Sequence, residues 1–167
     1  MTISVRSIET RDIDAVLELN EAAIPAVNSL TRQEMLWFAD NAACFRVALR
    51  KGSLAGFLIG LRPGLDYASR NYQWFCRRHA DFGYVDRIVV AEAGRRLGIG
   101  SRLYADFAAA LAGEVPVMTC EVNLSPPNPG SMAFHAREGF REVGRQHVEG
   151  GRKEVALMEK RLAHESH

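Results

Sequence analysis

Cysteine is scarce and scattered in this chain. Cys44, Cys76 and Cys120 are its three cysteines, an odd number without a C-x-x-C pair, which argues against a disulfide framework and a cysteine metal site. A reducing cytoplasm is the simplest setting. An excess of one charge is lacking too: 21 Lys and Arg against 20 Asp and Glu leave a net charge of +1. That excludes the basic field on which nucleic-acid binding relies. No stretch reaches the apolar length of a membrane span, and the N-terminus lacks a signal-peptide pattern. Internal repeats, low-complexity tracts and linkers are missing, and His147, His164 and His167 have no metal-ligand spacing. What is present is a soluble globular balance, 47% hydrophobic and 25% charged over 167 residues. It predicts one domain, 1–167, with a sizeable core.

The stretch Arg95-Arg96-Leu97-Gly98-Ile99-Gly100-Ser101 organises the rest. It follows an apolar run, 84–90, that predicts a buried strand. It opens a run in which Ile99, Leu103, Phe107 and Leu111 recur every fourth residue and so share one helical face. A strand, a basic glycine-rich turn and a helix N-terminus together make a holder for phosphate. The first N–H groups of a helix have no internal partner, and its dipole favours negative charge there. Gly98 and Gly100 let an anion approach the backbone, and Arg95 and Arg96 add charge. The order G-x-x-x-x-G-K-[ST] of a nucleotide P-loop is absent. The dinucleotide order G-x-G-x-x-G fails because Leu103 stands where its third glycine should be.

What remains is Arg-x-x-Gly-x-Gly, at Arg95, Gly98 and Gly100. Downstream lies Asn128-Pro129-Gly130-Ser131-Met132-Ala133-Phe134-His135-Ala136-Arg137-Glu138-Gly139-Phe140. The first motif resembles the pyrophosphate loop of the GNAT (Gcn5-related N-acetyltransferase) superfamily. The second is similar to that family's N-x-x-[AS]-x-x-[LF]-Y-x-x-x-G-F segment, with His135 in place of the tyrosine. The resemblance covers residues 82–145. It implies a GNAT α/β fold, a mostly antiparallel twisted sheet of six or seven strands with helices on both faces. It also implies acetyl-CoA as co-substrate, without a metal, and transfer of its acetyl group to an amine. The coenzyme would be held by 95–101, by Ile88, Val89 and Val90 beside the pantetheine arm, and by Asn128, Ser131, Phe134 and His135. The ligand site is expected where strands splay apart after 84–90.

In chain order, alternation predicts a strand at 3–8. Thr10 or Asp12 can cap a helix spaced by Ile13, Val16, Leu17 and Asn20 or Ala23, which Pro25 interrupts. Thr31 and Glu34 fit a capping box. The helix they open is expected to run to about Asn41, with Met35, Leu36 and Phe38 or Ala39 inward. Strands at 45–49 and 54–61 form a hairpin about Lys51-Gly52-Ser53. The stretch 64–82 is too long for a turn, and its aromatics argue against disorder. It is either a partly helical lid over the acceptor or a segment whose aromatics pack onto the domain or a second subunit. Then come a strand at 117–123, a short helix behind Asn128 with Pro129 in its first turn, and a closing hairpin of 141–148 and 154–162. The tail 163–167 is expected to fray.

Acyl transfer from a thioester to an amine needs a base for the amine proton, stabilisation of the tetrahedral oxyanion, and an acid for the departing thiolate. Glu121 is the first candidate base. Alternation puts it on one strand face with Thr119 and Asn123, while Met118, Cys120 and Val122 share the other. A carboxylate within a buried strand wants a reason. Cys120-Glu121-Val122-Asn123 is similar to the Leu-Glu-Val-Arg strand of ribosomal-protein N-terminal acetyltransferases, where the glutamate is catalytic. The alternative is a structural ion pair with Arg87 or Arg137. His135, by its motif position, is a candidate acid, or a helix histidine that hydrogen-bonds the cofactor or a backbone carbonyl. Water or one of Tyr67, Tyr72, Tyr84 and Tyr104 could take the acid role. Asp86 could orient the amine or act as base, or pair with Arg87 or another surface cation. Asn128 and Ser131 are expected to cap their helix. Arg77-Arg78-His79 is either a contact for an acidic acceptor or the coenzyme 3′-phosphate, or a solvated face. Cys120 lacks a base to make it a nucleophile.

The expected activity is therefore direct attack of a small-molecule or peptide primary amine on acetyl-CoA, with neither nucleic acid nor membrane as partner. The rival is a non-catalytic acetyl-CoA-binding sensor or scaffold. A longer acyl donor is also open. A homodimer would cover an exposed strand edge or the aromatic segment.

Overall fold

Caps and turns set the element boundaries. The computed structural model describes residues 2–162; the tail 163–167, with His164 and His167, lies outside the described residues. The elements are β1 (Ile3–Ser7), α1 (Ile13–Ala22), α2 (Arg32–Asn41), β2 (Cys44–Arg50), β3 (Ser53–Leu61), α3 (Arg70–Arg78), β4 (Gly83–Val90), α4 (Ile99–Leu111), β5 (Val117–Ser125), α5 (Pro129–Arg137), β6 (Arg141–Val148) and β7 (Lys153–Arg161). Thr31 caps α2 as expected: its hydroxyl accepts the Glu34 N–H at 3.1 Å, and the Glu34 carboxylate accepts the Thr31 N–H at 3.0 Å. Asp12 stands at the N-cap of α1 as expected, but its side chain makes no cap hydrogen bond there. Thr10 and Asp12 lie in a 3-10 turn, and the Asp12 carboxylate turns back to the Glu9 N–H at 2.8 Å and to Arg6 at 2.7 and 2.9 Å. The guanidinium outcompetes the helix N-terminus because it offers a bidentate, charge-assisted contact.

The strands form one seven-stranded sheet in the order β1-β2-β3-β4-β5-β7-β6, in a mixed α/β fold with helices on both sides. The chain divides into two compact units. One comprises the described residues up to Leu61 together with Asp86–Ala110. Its strands β1, β2 and β3 are antiparallel, with Ile3 opposite Arg50 and Phe45 opposite Ile59. Met35 and Phe38 of α2 are buried, as are Ile99, Leu103 and Phe107 of α4. Leu36 and Ala39 are only half-buried. A Cβ on Gly60 would lie 2.4 Å from the Phe107 ring, so only glycine lets that ring seat against β3.

The other unit comprises Arg62–Val85 and the chain from Leu111 onward. Here β4 runs parallel to β5, with Gly83 opposite Met118 and Tyr84 opposite Thr119. β7 is antiparallel to both β5 and β6. The stretch 64–82 contains α3, capped by the Ser69 hydroxyl on the Tyr72 N–H at 3.2 Å. Tyr72 and Phe75 are buried, with ring centroids 5.6 and 6.0 Å from that of Tyr84. The Tyr72 hydroxyl donates to the Arg62 carbonyl at 2.8 Å. Of the two readings of this stretch, the packing one describes Tyr72 and Phe75: they are core residues of this unit.

Candidate active site

The basic glycine-rich turn lies wholly within the first unit. The Ala91 N–H at the end of β4 bonds the Ala55 carbonyl at 2.8 Å. A 3-10 turn, Glu92–Gly94, follows, closed by the Gly94 N–H on the Ala91 carbonyl at 2.8 Å. Gly94 is buried, and a Cβ there would stand 2.7 Å from Ile99 Cδ1, so the first turn of α4 packs directly on backbone. The chain then passes through Arg96 at φ 68° and Gly98 at φ 78°. These left-handed conformations turn it into α4; they suit glycine and cost a side-chain-bearing residue such as Arg96 some strain. The helical ladder begins with the Arg102 N–H on the Gly98 carbonyl at 3.0 Å. The N–H groups of Gly98, Ile99 and Gly100 therefore precede the ladder, where a helix presents unpaired donors. A Cβ on Gly98 would meet nothing within 4 Å. Arg95, Arg96 and Ser101 are exposed, and the first turn of α4 holds no acidic residue. Open donors, added positive charge and the absence of a competing carboxylate fit a phosphate.

On β4, Asp86 takes the ion-pair alternative. Its carboxylate accepts Arg87 Nε–H at 3.0 Å, and both side chains are buried. The same guanidinium donates to Asn20 Oδ1 at 3.0 Å and to the Asn28 carbonyl and side-chain oxygens at 3.1 and 2.7 Å. This arrangement satisfies a buried cation and ties the chain between α1 and α2 to β4.

In the second unit the parallel pairing of β4 with β5 brings Tyr84 to Glu121. The Tyr84 hydroxyl donates to Glu121 Oε2 at 2.7 Å. Thr119, on the same face of β5, donates from its hydroxyl to the Gly83 carbonyl at 3.1 Å. Glu121 is half-buried, while Tyr84 is fully buried. A phenol hydroxyl that donates to one carboxylate oxygen fixes the orientation of the carboxylate. The sequence offered Tyr84 as one of four tyrosines. Its pairing with Glu121 comes from the strand register, since Tyr84 sits opposite Thr119 and Glu121 follows two residues later on the same face.

The Asn128 side chain caps α5, accepting the Ser131 N–H at 3.2 Å. Ser131, expected to share that capping, has its hydroxyl 3.2 Å from His135 Nδ1 instead. His135 Nδ1 lies 2.8 Å from the Ser131 carbonyl. A carbonyl only accepts, so Nδ1 carries the hydrogen, and in the neutral ring Nε2 is an acceptor. His135 is 4% exposed, with the Phe134 and Phe140 rings edge-on at 5.2 and 5.5 Å. Burial pushes its pKa below the usual histidine value. The geometry thus favours the hydrogen-bonded helix histidine over the acid.

This has a consequence for stability. The unfolded chain protonates His135 near pH 6.5, whereas the folded protein resists protonation to lower pH. The contribution is present in full above about pH 6.5 and is lost as pH falls through the depressed folded value. Melting curves from pH 7.5 down to 5 should show the wild type losing more stability than His135→Gln. Parallel curves would contradict it.

Of the basic run, Arg77 and Arg78 are exposed and His79 is half-buried. Arg78 and His79 both reach the buried Glu159 carboxylate of β7, Arg78 at 3.2 Å and His79 at 2.8 Å. The described residues contain no cluster of His, Cys, Asp or Glu able to hold a metal. No helix among them is long and apolar enough to cross a membrane.

A model of the acetyltransferase (GNAT) family matches residues 13–140. The chain belongs to the GNAT acetyltransferase family. No curated protein matches it significantly. Among solved structures, it resembles Ard1 from Thermoplasma volcanium, at 18% identity and a TM-score of 0.78, covering 98% of this chain and 99% of that one. The ribosomal-protein-S18-alanine N-acetyltransferase from Escherichia coli is similar at 17% identity and TM-score 0.75, covering 99% and 97%. Arabidopsis thaliana NAA60, solved with a bisubstrate analogue, is similar at 18% identity and TM-score 0.76, covering 96% and 98%. At these identities the structures speak for the GNAT fold, and the family match makes this GNAT chain an acetyltransferase enzyme. The match also begins in the first unit and ends in the second.

Proposed function

We propose that this GNAT enzyme transfers an acetyl group from acetyl-CoA to a primary amine by direct attack, and that its whole chain acts as one acetyltransferase domain. The observation that carries the reading is the turn at 94–101, with donors ahead of the α4 ladder, room at Gly98 and exposed Arg95 and Arg96. That turn would hold the pyrophosphate. Backbone groups of Ile88, Val89 and Val90 would hold the pantetheine arm, with Asn128, Ser131, Phe134 and His135 as further contacts. Bound acetyl-CoA supplies a thioester, whose carbonyl carbon is the electrophile.

Glu121 then accepts the proton that the amine must lose, directly or through water, while the Tyr84 hydroxyl holds the carboxylate in place. The new N–C bond replaces the C–S bond. The departing thiolate takes its proton from water or a tyrosine, because neutral His135 has its hydrogen committed to the Ser131 carbonyl. N–H groups near Val89 or Val90 would stabilise the carbonyl oxygen.

The test is release of free thiol from acetyl-CoA over a panel of small amines, amino acids and peptide N-termini. At least one class should release thiol in proportion to acetylated amine. Coenzyme binding without thiol release on any class would overturn the catalytic reading in favour of a sensor.

A further inference from the structure

Helix α3 is seated by contacts that converge on one face of the sheet in the second unit. Residues directly opposite on antiparallel strands point to the same face. Thr119 stands opposite Glu159, and Glu121 opposite Leu157, on β5 and β7. Leu157 stands opposite Gly144 on β6. A Cβ on Gly144 would lie 2.7 Å from Trp74, so the α3 indole lies on that bare backbone. Tyr84, Thr119, Glu121 and Glu159 thus belong to the face on which α3 lies.

At the C-terminal end of α3, Glu159 is 4% exposed and takes three contacts. Arg78 Nε and Nη2 each donate at 3.2 Å, and His79 Nε2 lies at 2.8 Å. A carboxylate this buried is retained at a desolvation cost, so its partners matter to where α3 sits. Earlier on the same helix, Tyr72 and Phe75 press on the Tyr84 ring, whose hydroxyl reaches Glu121 at 2.7 Å.

We propose that Glu159 is a positioning residue for Glu121: by clasping Arg78 and His79 it seats α3 so that Tyr72 and Phe75 hold the Tyr84 hydroxyl on the Glu121 carboxylate. The inference rests on Glu121 being the base, as proposed above. Glu159 touches neither reactant; it acts through α3 and Tyr84.

The test is a double-mutant cycle read on Glu121 itself. The protein is labelled with 13C at its glutamate side-chain carboxyls, and the Glu121 resonance is titrated in wild type, Tyr84→Phe, Glu159→Gln and the double variant. A carboxylate that loses a donor to its charged form titrates higher. Tyr84→Phe should raise the Glu121 midpoint by about one pH unit. Glu159→Gln should raise it in the same direction, and the double variant should titrate with Tyr84→Phe, because the clasp works only through that hydroxyl. Arg78→Gln, on a partly exposed partner, repeats the test if Glu159→Gln fails to fold. An unchanged Glu121 midpoint in folded Glu159→Gln or Arg78→Gln would overturn the proposal. So would a shift that adds in full on top of Tyr84→Phe. Turnover separates the two readings: a wild type that releases no thiol sinks Glu121 as base, while the carboxyl titration still decides the clasp.

Discussion

Glu121→Gln should lower kcat by about 10²–10⁴-fold, the usual contribution of a general base, with acetyl-CoA binding unchanged. The substitution keeps the shape of the side chain and an oxygen that can still accept from Tyr84 at the position of the present 2.7 Å bond. It removes only the capacity to take the amine proton. The loss should therefore fall on turnover, and the rise in melting temperature caused by acetyl-CoA should persist. Near-normal turnover of Glu121→Gln across the pH range would remove Glu121 from the mechanism.

Phe75→Ala should strongly destabilise the second unit. Phe75 is fully buried, with ring centroids 5.1 Å from Trp74, 6.2 Å from Phe82 and 6.0 Å from Tyr84. Truncating such a ring typically costs about 3–5 kcal/mol, set against a total of about 5–15 kcal/mol for a domain. For a chain of this length that corresponds to a melting temperature lower by roughly 6–20 °C. Activity should fall further than the folded fraction, because the cavity opens beside the Tyr84 ring. A drop of under about 1 kcal/mol in urea unfolding would show that this cluster is not the core of its unit.

Features that depend on neighbours in the chain were legible in the sequence. The stripe of Ile99, Leu103, Phe107 and Leu111 is buried as its spacing implied, and Thr31 with Glu34 and Asn128 with Pro129 cap their helices. Alternation placed Thr119 and Glu121 on one face of β5. Contacts that need tertiary register were not legible. Tyr84 and Glu121 are 37 residues apart, and only the parallel ladder brings them together. Arg78 and Glu159 are 81 residues apart, so no local pattern in the basic run showed that partner. The state of His135 follows from burial between two phenylalanines, which no local pattern encodes. Asp12 shows a local rule losing to a stronger partner, since Arg6 takes the carboxylate that could have capped α1.

Thermal unfolding with acetyl-CoA, coenzyme A, NAD and ATP tests the account most directly. A ligand that binds only the folded state at about 100 times its Kd adds about 2.7 kcal/mol. That corresponds to a rise of roughly 5–10 °C for a protein of this size. A rise with both coenzyme A species, and none with NAD or ATP, is the expected result. No rise with either coenzyme A species at saturation would mean that the turn at 94–101 does not hold the coenzyme, and acetyl transfer from acetyl-CoA would fall with it.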